Sequence, residues 1–179
     1  MSQEHRTKFL TNLKKQSAEG AEALILSCID YRFFHAIATE MKRAGLDGKY
    51  DMFCLAGASL GAQLDFPPSA SLPNPKPFLP RAHWQQVFLE HLNLACQLHP
   101  NIKYVWVFEH MQCGAYRTFL GSMPPDEEEK QHERYARELV FLIYKFNPGL
   151  TTYTCVLPAG HAPESTELDI LACGGAEGE

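Results

Sequence analysis

Four short apolar runs, at 23–28, 50–55, 102–108 and 151–157, are separated by segments whose apolar residues recur at helical spacing, and this alternation most limits the folds open to the chain. Ala23-Leu24-Ile25-Leu26-Ser27-Cys28 is followed by Phe33 to Ala44, with Phe34, Ile37 and Met41 at helical spacing and a stop at Gly45. Tyr50 to Leu55 reads as a second, buried strand, and the small-residue turn from Ala56 to Ala62 lets backbone approach closely. His83 to Leu98 is helical, and Ile102 to Phe108 carries the aromatic and β-branched residues that strands favour. A helix start lies near 124–129, where Glu127 to Glu129 read as a solvated first turn complementing the helix dipole. Tyr135 to Phe146 then places Leu139, Leu142, Ile143 and Phe146 on one side, and Thr151 to Leu157 is a fourth strand. Strands alternating with helices predict an α/β fold: a doubly wound, mostly parallel sheet flanked by helices. In such sheets ligands bind beyond the carboxyl ends of the strands, where the winding reverses.

The remaining segments set the boundaries. Residues 1–20 form an N-terminal arm, in which Phe9, Leu10 and Leu13 among lysines suit a short amphipathic helix docked on something else. Residues 21–171 read as one domain, interrupted by a loop at 65–80 in which six of sixteen residues are proline. Residues 172–179, Gly-rich and acidic, read as a flexible tail. A chain of 179 residues buries a core without disulfides, so the six cysteines (28, 54, 96, 113, 155, 173) read as thiols or metal ligands. The formal charge of -5 leaves no footprint for nucleic acid, and a small or neutral ligand is expected instead. No apolar run reaches membrane-spanning length and the first sixteen residues lack a signal-peptide pattern, so a cytoplasmic location is expected.

Chemistry concentrates at two strand ends. In Cys28-Ile29-Asp30-Tyr31-Arg32, alternate residues of an extended segment would turn Cys28, Asp30 and Arg32 toward one crevice. In His110-Met111-Gln112-Cys113-Gly114, the tight spacing lets an imidazole and a thiolate turn toward one point. Two thiolates and one imidazole suit Zn²⁺, and three protein ligands leave the fourth tetrahedral position for water. Cys54 reads as a buried small hydrophobe beside this set. His83, His91 and His99 recur every eight residues with nothing acidic or sulfurous beside them, and read as solvated or satisfied.

These motifs resemble the β-class carbonic anhydrases, whose pattern is Cys-x-Asp-x-Arg, a small-residue Ala-Gly turn after the next strand, and His-x-x-Cys-Gly. The matching residues here are Cys28, Asp30 and Arg32, Ala56-Gly57, and His110, Cys113 and Gly114, over roughly residues 23 to 157. The resemblance implies a sheet with the first and third strands adjacent, Zn²⁺ on Cys28, His110 and Cys113, Asp30 and Arg32 as a catalytic dyad, and a homodimer as the basic unit. It further implies hydration of CO₂ to bicarbonate by a metal-bound hydroxide, with Asp30 accepting that group's hydrogen bond or occupying the fourth position itself, and Arg32 holding Asp30 ionised. The departures are Cys54-Leu55 where the family usually has Arg-Asn, Glu109 where it commonly has glycine, and Met111 in place of a small hydroxyl residue. The apolar replacements are compatible with carbonyl sulfide or carbon disulfide as substrate. A zinc-stabilised regulatory protein without turnover is a third reading, against which the presence of Asp30 and Arg32 argues.

Overall fold

A computed structural model describes residues 20–63, 82–159 and 172–176. The arm before Gly20 and the Pro-rich loop at 65–80 lie outside the described residues. The strands are β1 (Ala23–Ser27), β2 (Tyr50–Cys54), β3 (Tyr104–His110), β4 (Thr151–Leu157) and β5 (Ala172–Ala176), in the order β2-β1-β3-β4-β5. The first four are parallel and β5 is antiparallel to β4. A 3₁₀ turn at Tyr31–Phe33 leads into α1 (Phe34–Arg43), and the other helices are α2 (Ala82–Leu98), α3 (Gly114–Leu120) and α4 (Pro125–Phe146). The chain passes from β1 to β2 on one side and then crosses to β3 on the other, so the winding reverses at β1, and the crevice that this opens lies beyond the carboxyl ends of β1 and β3.

Strand parity decides what each side chain meets. Leu24, Leu26, Val105 and Val107 face Phe88, Leu92 and Ala95 of α2 and Leu139 and Ile143 of α4. Ala23, Ile25 and Phe108 face the other way, onto Phe33 and onto Ile37 and Met41 of α1. By this period of two, Glu109 continues the series of Val105 and Val107 toward α4, whereas His110 continues that of Phe108 toward α1. Leu24, Ile25 and Leu26 are wholly buried. Burial stabilises such side chains by roughly 1.5–3 kcal/mol each, enough to fix where the chain leaves β1.

Three features differ from the sequence reading, and one boundary agrees with it. β3 runs to His110 because β4 pairs with its last two residues, Glu109 with Val156 and His110 with Leu157. α4 starts at Pro125, inside the expected 124–129 start, with proline at its first turn and Asp126, Glu127 and Glu128 behind it. β2, read as buried, is an edge strand with Met52 and Cys54 exposed, since among the described residues only β1 pairs with it. Where a flexible tail was expected from Ala172, residues 172–176 add to β4 as β5, held by a backbone ladder that glycine-rich sequence does not advertise.

Candidate metal centre

Cys28 is the first residue past β1, His110 the last of β3, and Cys113 the N-cap of α3. The register pairs Ser27 with Phe108, which brings Cys28 level with the end of β3. Between His110 and Cys113 the chain turns through Gln112, whose φ of 57° lies in the left-handed region that non-glycine residues rarely adopt. The ligand atoms of Cys28, His110 and Cys113 all lie within 4.8 Å of one another, and all three residues are buried. The two sulfurs are 3.9 Å apart, close to the edge of about 3.8 Å that a tetrahedron with metal–sulfur bonds of about 2.3 Å requires.

The imidazole is oriented for the same purpose. His110 Nδ1 donates to the Met111 carbonyl at 3.0 Å; a carbonyl only accepts, so this nitrogen carries the hydrogen and Nε2 keeps its lone pair. Among the described residues Nε2 is buried without a hydrogen-bond partner, an open lone pair that a metal cation fits. Phe33 stacks on the ring with centroids 4.4 Å apart and fixes its plane.

Backbone donors serve both sulfurs. Gly57 N–H donates to Cys28 Sγ at 3.4 Å from a turn in which Gly57 and Ala58 both have positive φ, 78° and 41°. The same turn needs glycine at Gly61, where a β-carbon would run into the Ala56 carbonyl oxygen and the Leu55 side chain. Cys113 accepts from the backbone N–H groups of Ala115 and Tyr116 at the start of α3. The Cys113 hydrogen bond lowers the Cys28 thiol to about 4 against the opposing effect of burial, with His110 and Gly57 assisting. Donating that bond, together with burial, pushes the Cys113 thiol far up. Two sulfurs this close to each other and to an imidazole nitrogen form a donor set suited to a soft divalent cation.

Asp30 and Arg32 reach this cluster by a route other than the extended one expected. The strand ends at Ser27, and Asp30 caps the 3₁₀ turn by accepting the Arg32 N–H at 3.1 Å. The guanidinium grips the carboxylate with Nε at 2.9 and 3.1 Å from its two oxygens and Nη2 at 2.6 Å from Oδ2. These bonds lower the carboxyl below its ordinary range, despite partial burial. Oδ2 lies 3.9 Å from His110 Nε2, so the carboxylate stands beside the three-residue cluster. Arg32, Gln112, Arg117, Ser122 and Glu128 line a cavity of about 450 Å³ next to Cys113.

Sequence reasoning missed the layer beneath the ligands. Glu109, 1% exposed, accepts Ser59 N–H on Oε1 at 2.7 Å and His132 Nδ1–H on Oε2 at 2.9 Å. His132 is fully buried and lies against Tyr116, centroids 3.8 Å apart. The Tyr116 hydroxyl hydrogen-bonds Glu109 and approaches Ser59 Oγ at 3.4 Å; burial, then the charge of Glu109, raises its pKa. Glu128, read as solvated, accepts Cys113 N–H at 2.8 Å. The signal available for these residues was His132 four after Glu128, on the apolar stripe continued by Ala136, Leu139 and Ile143. Of the residues set aside, Cys54 is exposed and lies against Ser27 Oγ. His99, read as lacking an acidic neighbour, meets Asp51 of β2 at 2.7 Å, a contact made by the fold and invisible in local sequence.

No family model matches the chain. An uncharacterized protein of Rickettsia conorii is 26% identical over 151 residues, 83% of this chain and 73% of that protein. One from Rickettsia bellii is 29% identical over 119 residues, 66% of this chain and 63% of that protein, so the match spans less than two thirds of its length. Among solved structures, a tetrameric β-carbonic anhydrase of the filamentous ascomycete Sordaria macrospora superposes with a TM-score of 0.52 at 10% identity, covering 92% of this chain and 87% of that one. At that identity the likeness shows a shared fold. Among the described residues, no helix is long and apolar enough to cross a membrane.

Proposed function

We propose that the chain is a zinc enzyme of the β-carbonic anhydrase type that interconverts CO₂ and bicarbonate, assembled as a homodimer or larger homo-oligomer. The observation that carries this reading is the buried set of Cys28, His110 and Cys113, with the orphaned Nε2 of His110 in it and the Asp30–Arg32 pair beside it. Zinc held by these three residues would supply Lewis acidity and lower the pKa of a water bound in its open position. Asp30 accepts a hydrogen bond from the attacking water through Oδ2, the oxygen nearer His110, and so aims the lone pair at the carbon of CO₂. Arg32 keeps that carboxylate ionised and fixes its plane through two parallel bonds. The cavity walls, with Arg32, Arg117, Gln112 and Ser122, suit the departure of an anionic product. Leu55 packs against the Leu92 core and Met111 is buried, and neither is among the residues that line this cavity. Exposed Val87, Leu94 and Leu98 on α2 and Phe141 and Phe146 on α4 support burial against another copy.

The test is metal analysis with stopped-flow CO₂ hydration on the purified protein and on Cys28→Ser, His110→Ala and Cys113→Ser. About one zinc per chain is expected in the parent, with strong loss in each variant. Full zinc retention after removing His110 and Cys113 together would overturn the site, and intact zinc without CO₂ hydration at any pH would overturn the activity.

A further inference from the structure

Two buried ionisable residues facing each other across β3 and α4 are an expensive way to fill a core, because apolar residues of similar volume usually stabilise as well or better. The neighbouring positions of that interface follow the cheaper course: Val105 and Val107 on the strand, and Ala136, Leu139 and Ile143 on the helix. Glu109 and His132 break the pattern at the end nearest the ligands, and the groups they touch lead to both cysteines.

On one side, Glu109 Oε1 holds the amide of Ser59 at 2.7 Å. Ser59 follows Gly57 and Ala58, the two consecutive positive-φ residues of the turn, a conformation that persists only when its surroundings over-determine it. Gly57 is the residue whose amide reaches Cys28 Sγ. On the other side, His132 packs beside Glu128, with Nε2 3.7 Å from Oε1 and without a hydrogen bond among the described residues, and that oxygen accepts the Cys113 amide at 2.8 Å. Tyr116 closes the arrangement by lying on His132, bonding Glu109 through its hydroxyl, and donating its own backbone N–H to Cys113.

We propose that the buried Glu109–His132 pair positions the two cysteine ligands, Glu109 by holding the turn that donates to Cys28, and His132 by packing against Tyr116 and beside Glu128, whose carboxylate accepts the amide of Cys113. The inference rests on the metal reading above. Neither residue reaches the ligand cluster itself; each acts through the groups that orient the sulfurs.

The test uses Co²⁺-substituted protein, whose visible bands report thiolate number and angle, together with the rate at which a chelator extracts the metal. Glu109→Gln and His132→Gln keep the size of each side chain, and each should shift the cobalt bands and weaken metal retention by about 10–100-fold, the usual effect of removing an outer partner of a ligand. Leu139→Ala serves as the control, since it loosens the same strand–helix interface without touching the network. It should lower stability and leave the cobalt spectrum unchanged. Glu128→Ala, at the cavity rim, reads the Cys113 branch in a chain that folds even where the core variants do not, and should give a smaller shift of the same kind. Folded Glu109→Gln and His132→Gln with the parent spectrum and parent retention overturn the proposal, as does a Leu139→Ala shift as large as theirs. Should neither core variant fold, an unchanged spectrum in Glu128→Ala overturns it. A parent protein that binds neither cobalt nor zinc removes the metal reading itself, a result distinct from a parent that binds both and variants that bind them identically.

Discussion

Two acid–base pairs flank the same three ligands and are built in opposite ways. Asp30 and Arg32 are two residues apart, brought together by one turn of 3₁₀ helix, with side chains 18% and 43% exposed. Glu109 and His132 are 23 residues apart, brought together by strand parity and a helix stripe, with side chains 1% and 0% exposed. An exposed ion pair contributes about 0–1 kcal/mol, whereas removing one partner of a buried pair costs about 3–5 kcal/mol because the other is left uncompensated. The difference separates two tasks. The first pair presents a carboxylate to the crevice and can be altered without harm to the fold; the second spends both carboxylate oxygens on protein donors and holds the floor of the site in place.

The largest effect that this contrast forecasts is on stability. Glu109→Ala leaves the Ser59 amide and the His132 Nδ1–H without their acceptor, and should destabilise the chain by about 3–5 kcal/mol in urea unfolding. The measurement belongs in excess chelator, so that metal binding does not add to the difference. A loss below about 1 kcal/mol would mean that the buried pair is no more demanding than the exposed one, and the contrast would collapse. Next in size comes Asp30→Asn, which keeps the shape of the side chain and removes the charge that orients the attacking water. Turnover should fall about 100-fold, equivalent to about 2.7 kcal/mol in the barrier, with zinc content unchanged. Parent-like turnover in a zinc-replete variant would take Asp30 out of the chemistry.

The same contrast explains what could be read from sequence. Cys28, Asp30 and Arg32 were legible because their relation is local, although the geometry joining them is a capped turn and not an extended strand. His110 and Cys113 were legible because both lie at one strand end, within four residues of each other. The parallel sheet followed from the alternation of apolar runs and helical spacing, and the adjacency of β1 and β3 matched what the family resemblance implied. Glu109 stood out only as a departure from glycine, since its partner lies 23 residues away on a helix whose rotation is set by Leu139 and Ile143. Glu128 was hidden by composition: in a run of acidic residues at a helix start, nothing local distinguishes the one that turns inward to an amide. β5 was hidden because Ala172–Ala176 carries no strand-like side chains.

A third, intermediate effect tests the link between the buried pair and the Cys28 thiolate. Gly61→Ala places a β-carbon against the Ala56 carbonyl oxygen, which is backbone and cannot swing aside. The turn must shift at a cost of about 1–3 kcal/mol. Because Gly57 and Ser59 belong to the same turn, metal retention should weaken in parallel with stability. Equal retention with reduced stability would show that the turn supports the core alone and does not orient Cys28.

The smallest effect concerns the exposed pair as a contributor to folding, and it is small for two separate reasons. The guanidinium of Arg32 stays in contact with solvent, which screens its attraction to Asp30 despite the two-pronged geometry. In addition, residues two apart can meet in the unfolded chain as well, so part of the interaction is present before folding and cancels from the difference. A double-mutant cycle with Asp30→Asn and Arg32→Gln in the chelated protein should therefore give a coupling below about 1 kcal/mol, diminishing further in high salt. The matching cycle on Glu109→Gln and His132→Gln should give a larger coupling that salt barely alters, because no water reaches either side chain. Similar couplings with similar salt sensitivity would mean that burial does not divide the two pairs. A salt-insensitive coupling of several kcal/mol at Asp30–Arg32 would move that pair from the chemistry of the crevice into the framework that holds it.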